Sequence, residues 1–238
     1  MSKKKRNQMK KQANAAAKHK QSRVQIIMYA TLIALILVIV GVMVYSTVAK
    51  HQGSPEHAEF NYDQHPVMGN PDAPVKIVEF GDYKCPVCKR FDQEFLPKLK
   101  KDYIDTGKAA YYFINFPIIQ GSNPAALAAE SVYHRQPDLF WKYHEALYAN
   151  QGDEDTDWAN PQNLTKIGVV HVEGLNGDQL LKDIKSKKYK SAVAADRQKA
   201  LDLGLNSTPS IFINGKPITE LKYSTIQSAI DQAYESAK

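Results

Sequence analysis

The apolar positions of this chain follow four patterns in succession. Residues 24–49 are 26 positions without a charge, and they include Ile-Ala-Leu-Ile-Leu-Val-Ile-Val-Gly-Val-Met-Val. A run of that length is enough to cross a hydrocarbon core of about 30 Å as a helix. Val75 to Phe80 is short and nearly all apolar, as a strand covered on both faces should be. After it, Phe91, Phe95 and Leu99 recur every fourth residue, which predicts one face of a helix. Gly107 ends that helix, and 109–116 gives a second strand closed by Pro117. A helix between two strands predicts parallel neighbours joined right-handedly. From Ser122 to about Leu203 strand signals stop. Asn123-Pro124, Gln136-Pro137-Asp138, Asn160-Pro161 and Gly177-Asp178 open successive helices, and a last one runs from about Tyr189. Sheet character returns at 208–218, where Asn214-Gly215 predicts a hairpin turn and hence two antiparallel strands. Ser224 is placed to cap a final helix carrying Ile226, Ile230, Ala233 and Tyr234. The expected class is α/β, with a helical insertion at about 122–203.

Charge changes how the ends are read. The chain carries +6 overall, but nine of its 31 Lys and Arg precede Val24 and all 25 acidic residues follow Lys50. The remainder holds 22 basic and 25 acidic residues, a net −3. Nothing there suggests a nucleic-acid partner. The basic excess is instead a topology signal that keeps the N-terminus in the cytoplasm, with a contribution from contact with anionic lipid. The expected organisation is a basic cytoplasmic tail (1–23), a single membrane anchor (24–49), a linker (50–69) and a domain at 70–238 outside the cytoplasm. A cleaved signal peptide is the rival reading of 24–49, since Ser46-Thr47-Val48-Ala49 offers small residues, but such peptides have shorter apolar cores. No cysteine stands at the end of the run, which argues against a lipid-modified cysteine anchor. The linker holds His51, His57 and His65 at irregular spacing, which favours a solvated tether over a metal site.

Chemistry concentrates between the first strand and the first helix. Cys85 and Cys88 are the only cysteines in the chain. Pro86 suits a first helical turn, so Cys85 falls at a helix N-terminus, where N–H groups and the helix dipole favour a thiolate. Cys88 follows one turn later, within reach of a disulfide. Zinc needs about four ligands, and no second pair exists to supply them. A structural disulfide here would close only a tiny loop and constrain little. A redox-active pair is the remaining reading, and disulfides persist outside the cytoplasm. Glu79 is out of place in an apolar strand. It is read as a buried proton acceptor with a raised pKa serving Cys88; the alternative is a solvated residue at the strand margin. Thr208-Pro209, just before a strand, is a candidate cis peptide whose backbone can pair with an extended chain. Asp153, Glu154, Asp155 and Asp157 form an acidic loop without EF-hand spacing, so a solvated charge run is the default and calcium the alternative.

The order strand, C-x-x-C helix, strand, helical insert, Thr-Pro, strand, Asn-Gly turn, strand and helix resembles the thioredoxin fold with the helical insertion of the DsbA family. Glu79, Cys85-Pro86-Val87-Cys88, Phe116-Pro117 and Thr208-Pro209 carry that resemblance over about residues 66–238. With its anchor, the chain most resembles the membrane-tethered BdbD-type oxidoreductases of Gram-positive bacteria. The resemblance implies that Cys85 is the attacking cysteine and Cys88 the resolving one. It makes Glu79 the buried acid, and it places Thr208, Pro209, Pro86 and Val87 along the substrate groove. It implies dithiol–disulfide exchange with unfolded exported proteins that bear free thiols, and re-oxidation by a quinone-linked membrane thiol oxidase or small disulfides. It also implies no cofactor beyond the redox-active disulfide, and calcium away from the cysteines at ligands that spacing does not place. One departure is Val87, where the best-known oxidant of the family has histidine. A reductase or isomerase using the same cysteines is the alternative activity, and a non-catalytic peptide-binding module the alternative class.

Overall fold

The structure, a computed structural model, describes residues 32–43 and 57–237. The chain divides into two units, Met1–Gln52 and Gly53–Lys238. In the first, residues 32–43 form a helix, α1, whose apolar side chains are exposed. The rest of the expected anchor and the whole basic tail lie outside the described residues. Among the described residues, no helix is long and apolar enough to cross a membrane.

The second unit is built on a five-stranded sheet in the order β1-β3-β2-β4-β5. Its strands are β1 (Val67–Met68), β2 (Val75–Gly81), β3 (Ala109–Asn115), β4 (Ser210–Ile213) and β5 (Lys216–Pro217). The central strand, β2, runs parallel to β3 and antiparallel to β4. Strand alternation sends Ile77 and Glu79 to one face and Val78 and Phe80 to the other. On the first face Ile77 packs with Tyr111, Phe113 and the helical insertion. On the second, Val78 and Phe80 pack with Tyr112, Phe116, Leu203 and Phe212.

Between β2 and β3 the chain is helical but not uniformly α. It passes through α2 (Pro86–Arg90), a π-helical turn (Phe91–Phe95), α3 (Leu96–Leu99) and a second π turn (Lys100–Ile104). Pro97 has no N–H to return to the preceding turn, and a widened turn is one way to absorb that loss. The buried stripe consequently runs through Cys88, Phe91, Leu96 and Leu99. Phe95, which a strict fourfold spacing would bury, is only half-buried.

The insertion comprises α4 (Asn123–Arg135), α5 (Phe140–Ala149), α6 (Pro161–His171), α7 (Gly177–Ser186) and α8 (Lys190–Asp202). Asn160 and Asn176 cap α6 and α7 by accepting the N–H of Asn163 and Gln179. The cap of α4 is Ser122 rather than Asn123. The last helix, α9 (Tyr223–Ser236), starts after Lys222, so Ser224 sits inside its first turn instead of capping it.

The largest departure concerns the expected linker. From residue 57 onward that segment belongs to the folded unit. The N–H of Ala58 donates to the Gly215 carbonyl at 2.8 Å. Phe60 packs on Phe80 and Phe212, with ring centres 5.9 and 5.4 Å away. β1 adds an antiparallel edge to β3, opposite Tyr111 and Tyr112. His65 is half-buried, and burial pushes its pKa down to about 4. Polar composition hid these anchors, because two buried side chains and a two-residue strand leave no periodic signal. Phe60→Ala is therefore expected to lower unfolding stability in urea by about 3 kcal/mol. An unchanged denaturation midpoint would mean that the segment is a tether after all.

Candidate active site

The turn after β2 is held by Asp82, a buried residue that sequence reading passed over. Its Oδ1 accepts the N–H of Lys84 at 2.8 Å, and its Oδ2 accepts those of Ile118 and Ile119, each at 2.8 Å. Its carbonyl accepts the N–H of Cys85 at 2.9 Å. One side chain thus joins the cysteine loop to the loop following β3. Two further side chains tighten the arrangement. Lys84 is buried, and its Nζ donates to the carbonyls of Gln120 and Thr156, both at 2.9 Å. The Gln151 amide donates to the carbonyls of Tyr83 and Cys85 at 2.8 and 3.0 Å. The Gly81-Asp82 step after a strand was the available signal for Asp82. Lys84 and Gln151 had none, because their partners are distant in sequence.

Cys85 is the N-cap of α2, with Pro86 in the first turn. Its sulfur lies 3.3 Å from the Thr208 carbonyl oxygen, which brings together the two segments expected to face substrate. The Thr208–Pro209 peptide is cis. Pro86 is exposed, while Val87, Thr208 and Pro209 are half-buried. Both cysteines are buried and unbridged. A hydrogen bond from the Cys88 thiol pulls the Cys85 pKa down to about 6. Burial opposes this, while the Thr208 side chain and the backbone N–H groups of Cys88 and Val87 reinforce it. Cys88 moves the other way. Burial, its bond to Cys85 and the nearby Glu79 push it well above the ordinary thiol range. At neutral pH the pair therefore holds a thiolate at Cys85 and a proton at Cys88.

Glu79 is 2% exposed, which rules out the solvated reading. Its Oε2 accepts a hydrogen bond from Tyr111 at 2.5 Å, and its Oε1 has no partner. Burial raises its pKa to about 8 despite the Tyr111 bond, with Asp92 and Cys85 adding to the rise. The carboxyl is neutral near pH 7 and holds a transferable proton. Its electrostatic effect on Cys88 places the two groups in one environment.

Calcium takes six to eight converging oxygen ligands. Asp153, Glu154, Asp155 and Asp157 are all exposed, and among the described residues no group of three or more His, Cys, Asp or Glu is arranged to hold a metal. The acidic loop does not fit such an ion. Glu130 and Asp196 are the other buried carboxyls of note. Both bond to Asn115, and burial raises them to about 8 and about 7.

A sheet with a helical insertion, a C-x-x-C at a helix N-terminus and a cis-proline loop touching the first sulfur define a thioredoxin-fold dithiol–disulfide site. A family model described as Thioredoxin matches residues 61–232. The probable disulfide bond formation protein D of Bacillus anthracis is 35% identical over 198 residues, covering 83% of this chain and 90% of that one. The disulfide bond formation protein D of Bacillus subtilis is 36% identical over 169 residues, 70% of this chain and 76% of that one. The crystal structure of oxidised BdbD from B. subtilis superposes with a TM-score of 0.71 at 34% identity, covering 77% of this chain and 98% of that one. DsbA of Chlamydia trachomatis gives 0.67 at 25% identity, over 75% of this chain and 95% of that one. The chain belongs to the thioredoxin family, within its group of disulfide bond formation proteins D.

The two shifts have opposite consequences for stability. The depressed Cys85 pKa favours the reduced fold over a Cys85→Ser variant, fully so above the thiol's ordinary pKa. That advantage is lost as pH falls through about 6. The raised Glu79 pKa costs stability as pH climbs from the ordinary carboxyl range to about 8, so Glu79→Gln should stabilise the protein most above that pH. Thiolate absorbance in the reduced protein should report one group titrating near pH 6, and none if Cys85 is an ordinary thiol.

Proposed function

We propose that this protein introduces disulfide bonds into exported proteins by dithiol–disulfide exchange through Cys85 and Cys88. The observation that carries the reading is the unequal placement of the two sulfurs: Cys85 caps α2 beside the Thr208–Pro209 loop, and Cys88 is fully buried one turn on, which favours a thiolate at the first and a thiol at the second. A disulfide whose reduced form is stabilised in this way is a strong oxidant.

In the forward reaction a substrate thiolate attacks the sulfur of Cys85 in the Cys85–Cys88 disulfide. The S–S bond breaks, a mixed disulfide forms at Cys85, and the electron pair leaves on Cys88. The Cys88 thiolate is buried, and its charge is poorly tolerated there. The neutral Glu79 carboxyl supplies the proton that quenches it. The substrate's second thiolate then attacks the substrate sulfur of the mixed disulfide and expels Cys85 as a thiolate. The substrate loses two electrons and gains a disulfide, and the enzyme is left reduced. Thr208, Pro209, Pro86 and Val87 border the reacting sulfur and would seat an extended, unfolded segment of the substrate. A quinone-linked membrane thiol oxidase, or small-molecule disulfides, would restore the disulfide. The relatives' names, disulfide bond formation protein D, support the oxidative direction.

The deciding measurement is the reduction potential in glutathione buffers. A value near about −120 mV is expected; one near about −270 mV would make the protein a reductase and overturn the reading.

The reaction would take place outside the cytoplasm, with the domain held by a single N-terminal anchor. The uncharged run at 24–49, its basic flank and the exposed apolar surface of α1 support this. The full chain should then stay with membranes through alkaline carbonate washing, and its C-terminal domain should be open to protease added outside intact cells. Release into the soluble fraction, or protection from that protease, would refute the anchored topology.

A further inference from the structure

The reaction above leaves one requirement open. Each turnover draws a proton from Glu79, which is 2% exposed, while substrate is held at Cys85. Glu79 needs a connection to solvent that is independent of the substrate face.

Such a connection is built into the face of the sheet that carries Glu79. Phe113 stands opposite Glu79 in the β2–β3 register. The imidazole of His144, on α5, packs edge-on to Phe113 with ring centres 4.6 Å apart. His144 is 2% exposed and sits between two polar partners. Its Nδ1 is 2.9 Å from the Tyr83 hydroxyl, and its Nε2 is 3.3 Å from Asp92 Oδ1 without the alignment of a hydrogen bond. Tyr83 is itself buried, in the turn that leads to Cys85. Three enclosed polar atoms in this region lack a partner: Glu79 Oε1, His144 Nε2 and the Tyr148 hydroxyl. A buried polar atom without a partner is costly, and several together call for an explanation. The rings concerned form a line of contacts: centre to centre, Phe113 lies 5.2 Å from Tyr83, and Tyr148 lies 5.0 Å from Tyr83 and 5.1 Å from His144. His144 and Asp92 then wall a cavity of about 460 Å³, with Trp141 and Lys100. None of the residues that face substrate, Cys85, Pro86, Val87, Thr208 or Pro209, lines it.

We propose that Tyr83, His144 and Asp92 are positioning residues of a proton channel that links Glu79 to solvent through this cavity, apart from the substrate face. The inference rests on the oxidase reading above. In the channel, a proton enters from water at Asp92 and His144, and the proton displaced inward restores the Glu79 carboxyl. The net change is one proton moved from solvent to the Cys88 sulfur; no electrons move with it. An imidazole suits the task because it binds a proton at one nitrogen while releasing one from the other.

The titratable groups that interact electrostatically with Glu79 are Cys85, the N-cap of α2, Cys88 within α2, Tyr111 from β3, Tyr83 from the turn, Asp92 from the π turn and Tyr148 from α5. Their interactions with one another recur across the site: Asp92 and Glu79 both act on Tyr83 and Tyr111, and Cys88 and Glu79 both act on Tyr148. His144 meets Tyr83 and Asp92 in turn.

The test mixes the oxidised full chain with excess dithiothreitol and follows mixed-disulfide formation, the step that releases Cys88, by stopped flow from pH 5 to 10, in water and in deuterium oxide. Asp92→Asn and His144→Gln are each expected to slow the step about tenfold or more. They should enlarge its solvent isotope effect and change its pH profile, while the Cys85 thiolate still titrates near pH 6. Tyr83→Phe keeps the ring and removes only the hydroxyl, so it decides the matter if the His144 variant does not fold. Glu145→Gln, at the cavity wall but outside the line, should behave as wild type. Variants with unchanged rates and pH profiles, beside a wild type that oxidises the dithiol, would overturn the channel alone. A wild type that leaves the dithiol unoxidised at every pH would overturn the function on which it rests.

Discussion

A single carboxylate, that of Asp82, fixes where the reactive sulfur stands. By accepting the N–H groups of Lys84, Ile118 and Ile119 it locks the exit of β2 to the exit of β3. Both are parallel strands of one sheet, and open α/β sheets place their chemistry at such carboxyl ends. The loops there would otherwise be free to move independently. With them joined, the Cys85 N–H can reach the Asp82 carbonyl, α2 can begin at Pro86, and the sulfur arrives 3.3 Å from the Thr208 carbonyl. A catalytic thiolate is useful only if its hydrogen-bond donors are already in place when substrate arrives. Asp82 supplies that preorganisation without touching sulfur.

The sheet then divides its two faces by role. The face bearing Val78 and Phe80 is apolar and structural, closed from outside by Phe60 and Phe116. The face bearing Glu79 is aromatic too, but more of its buried rings carry polar tips: Tyr83, Tyr111, Tyr143, Tyr148 and His144, against Tyr112 on the other face. Aromatic side chains with one polar atom let a core stay dense and still hold protons. The alternation of a strand, a purely geometric fact, thus separates folding from chemistry within one seven-residue element.

Much of this was legible in the sequence, for physical reasons. Val75 to Phe80 announced a central strand because nearly every position is apolar, and Glu79 stood out because a carboxyl there must be explained. Cys85, Pro86 and Cys88 are local neighbours, so their helix-start geometry followed from spacing alone. Asn160 and Asn214-Gly215 carry their conformations in their own side chains or backbones. What escaped notice was long-range. Asp82 acts on Ile118, Gln151 on Cys85, and His144 on Tyr83, each across dozens of residues. The segment from Ala58 to Met68 joined the fold through scattered contacts rather than periodicity. The π turns around Pro97 altered a helix whose fourfold spacing looked regular.

Val87 is instructive in the same way. A histidine at this position can stabilise the neighbouring thiolate through its side chain, and valine cannot. Yet the stabilisation of Cys85 comes from the Cys88 thiol, the Thr208 side chain and the N–H groups of Cys88 and Val87 itself. All of these follow from the helix start and the cis-proline loop, and the backbone N–H of residue 87 is present whatever side chain it bears. The dipeptide between the cysteines therefore adjusts a thiolate that the fold already favours. The two sulfurs differ in surroundings, one at a helix N-terminus and the other fully buried near Glu79. That contrast depends on burial and backbone geometry, which the side chain at residue 87 does not itself supply.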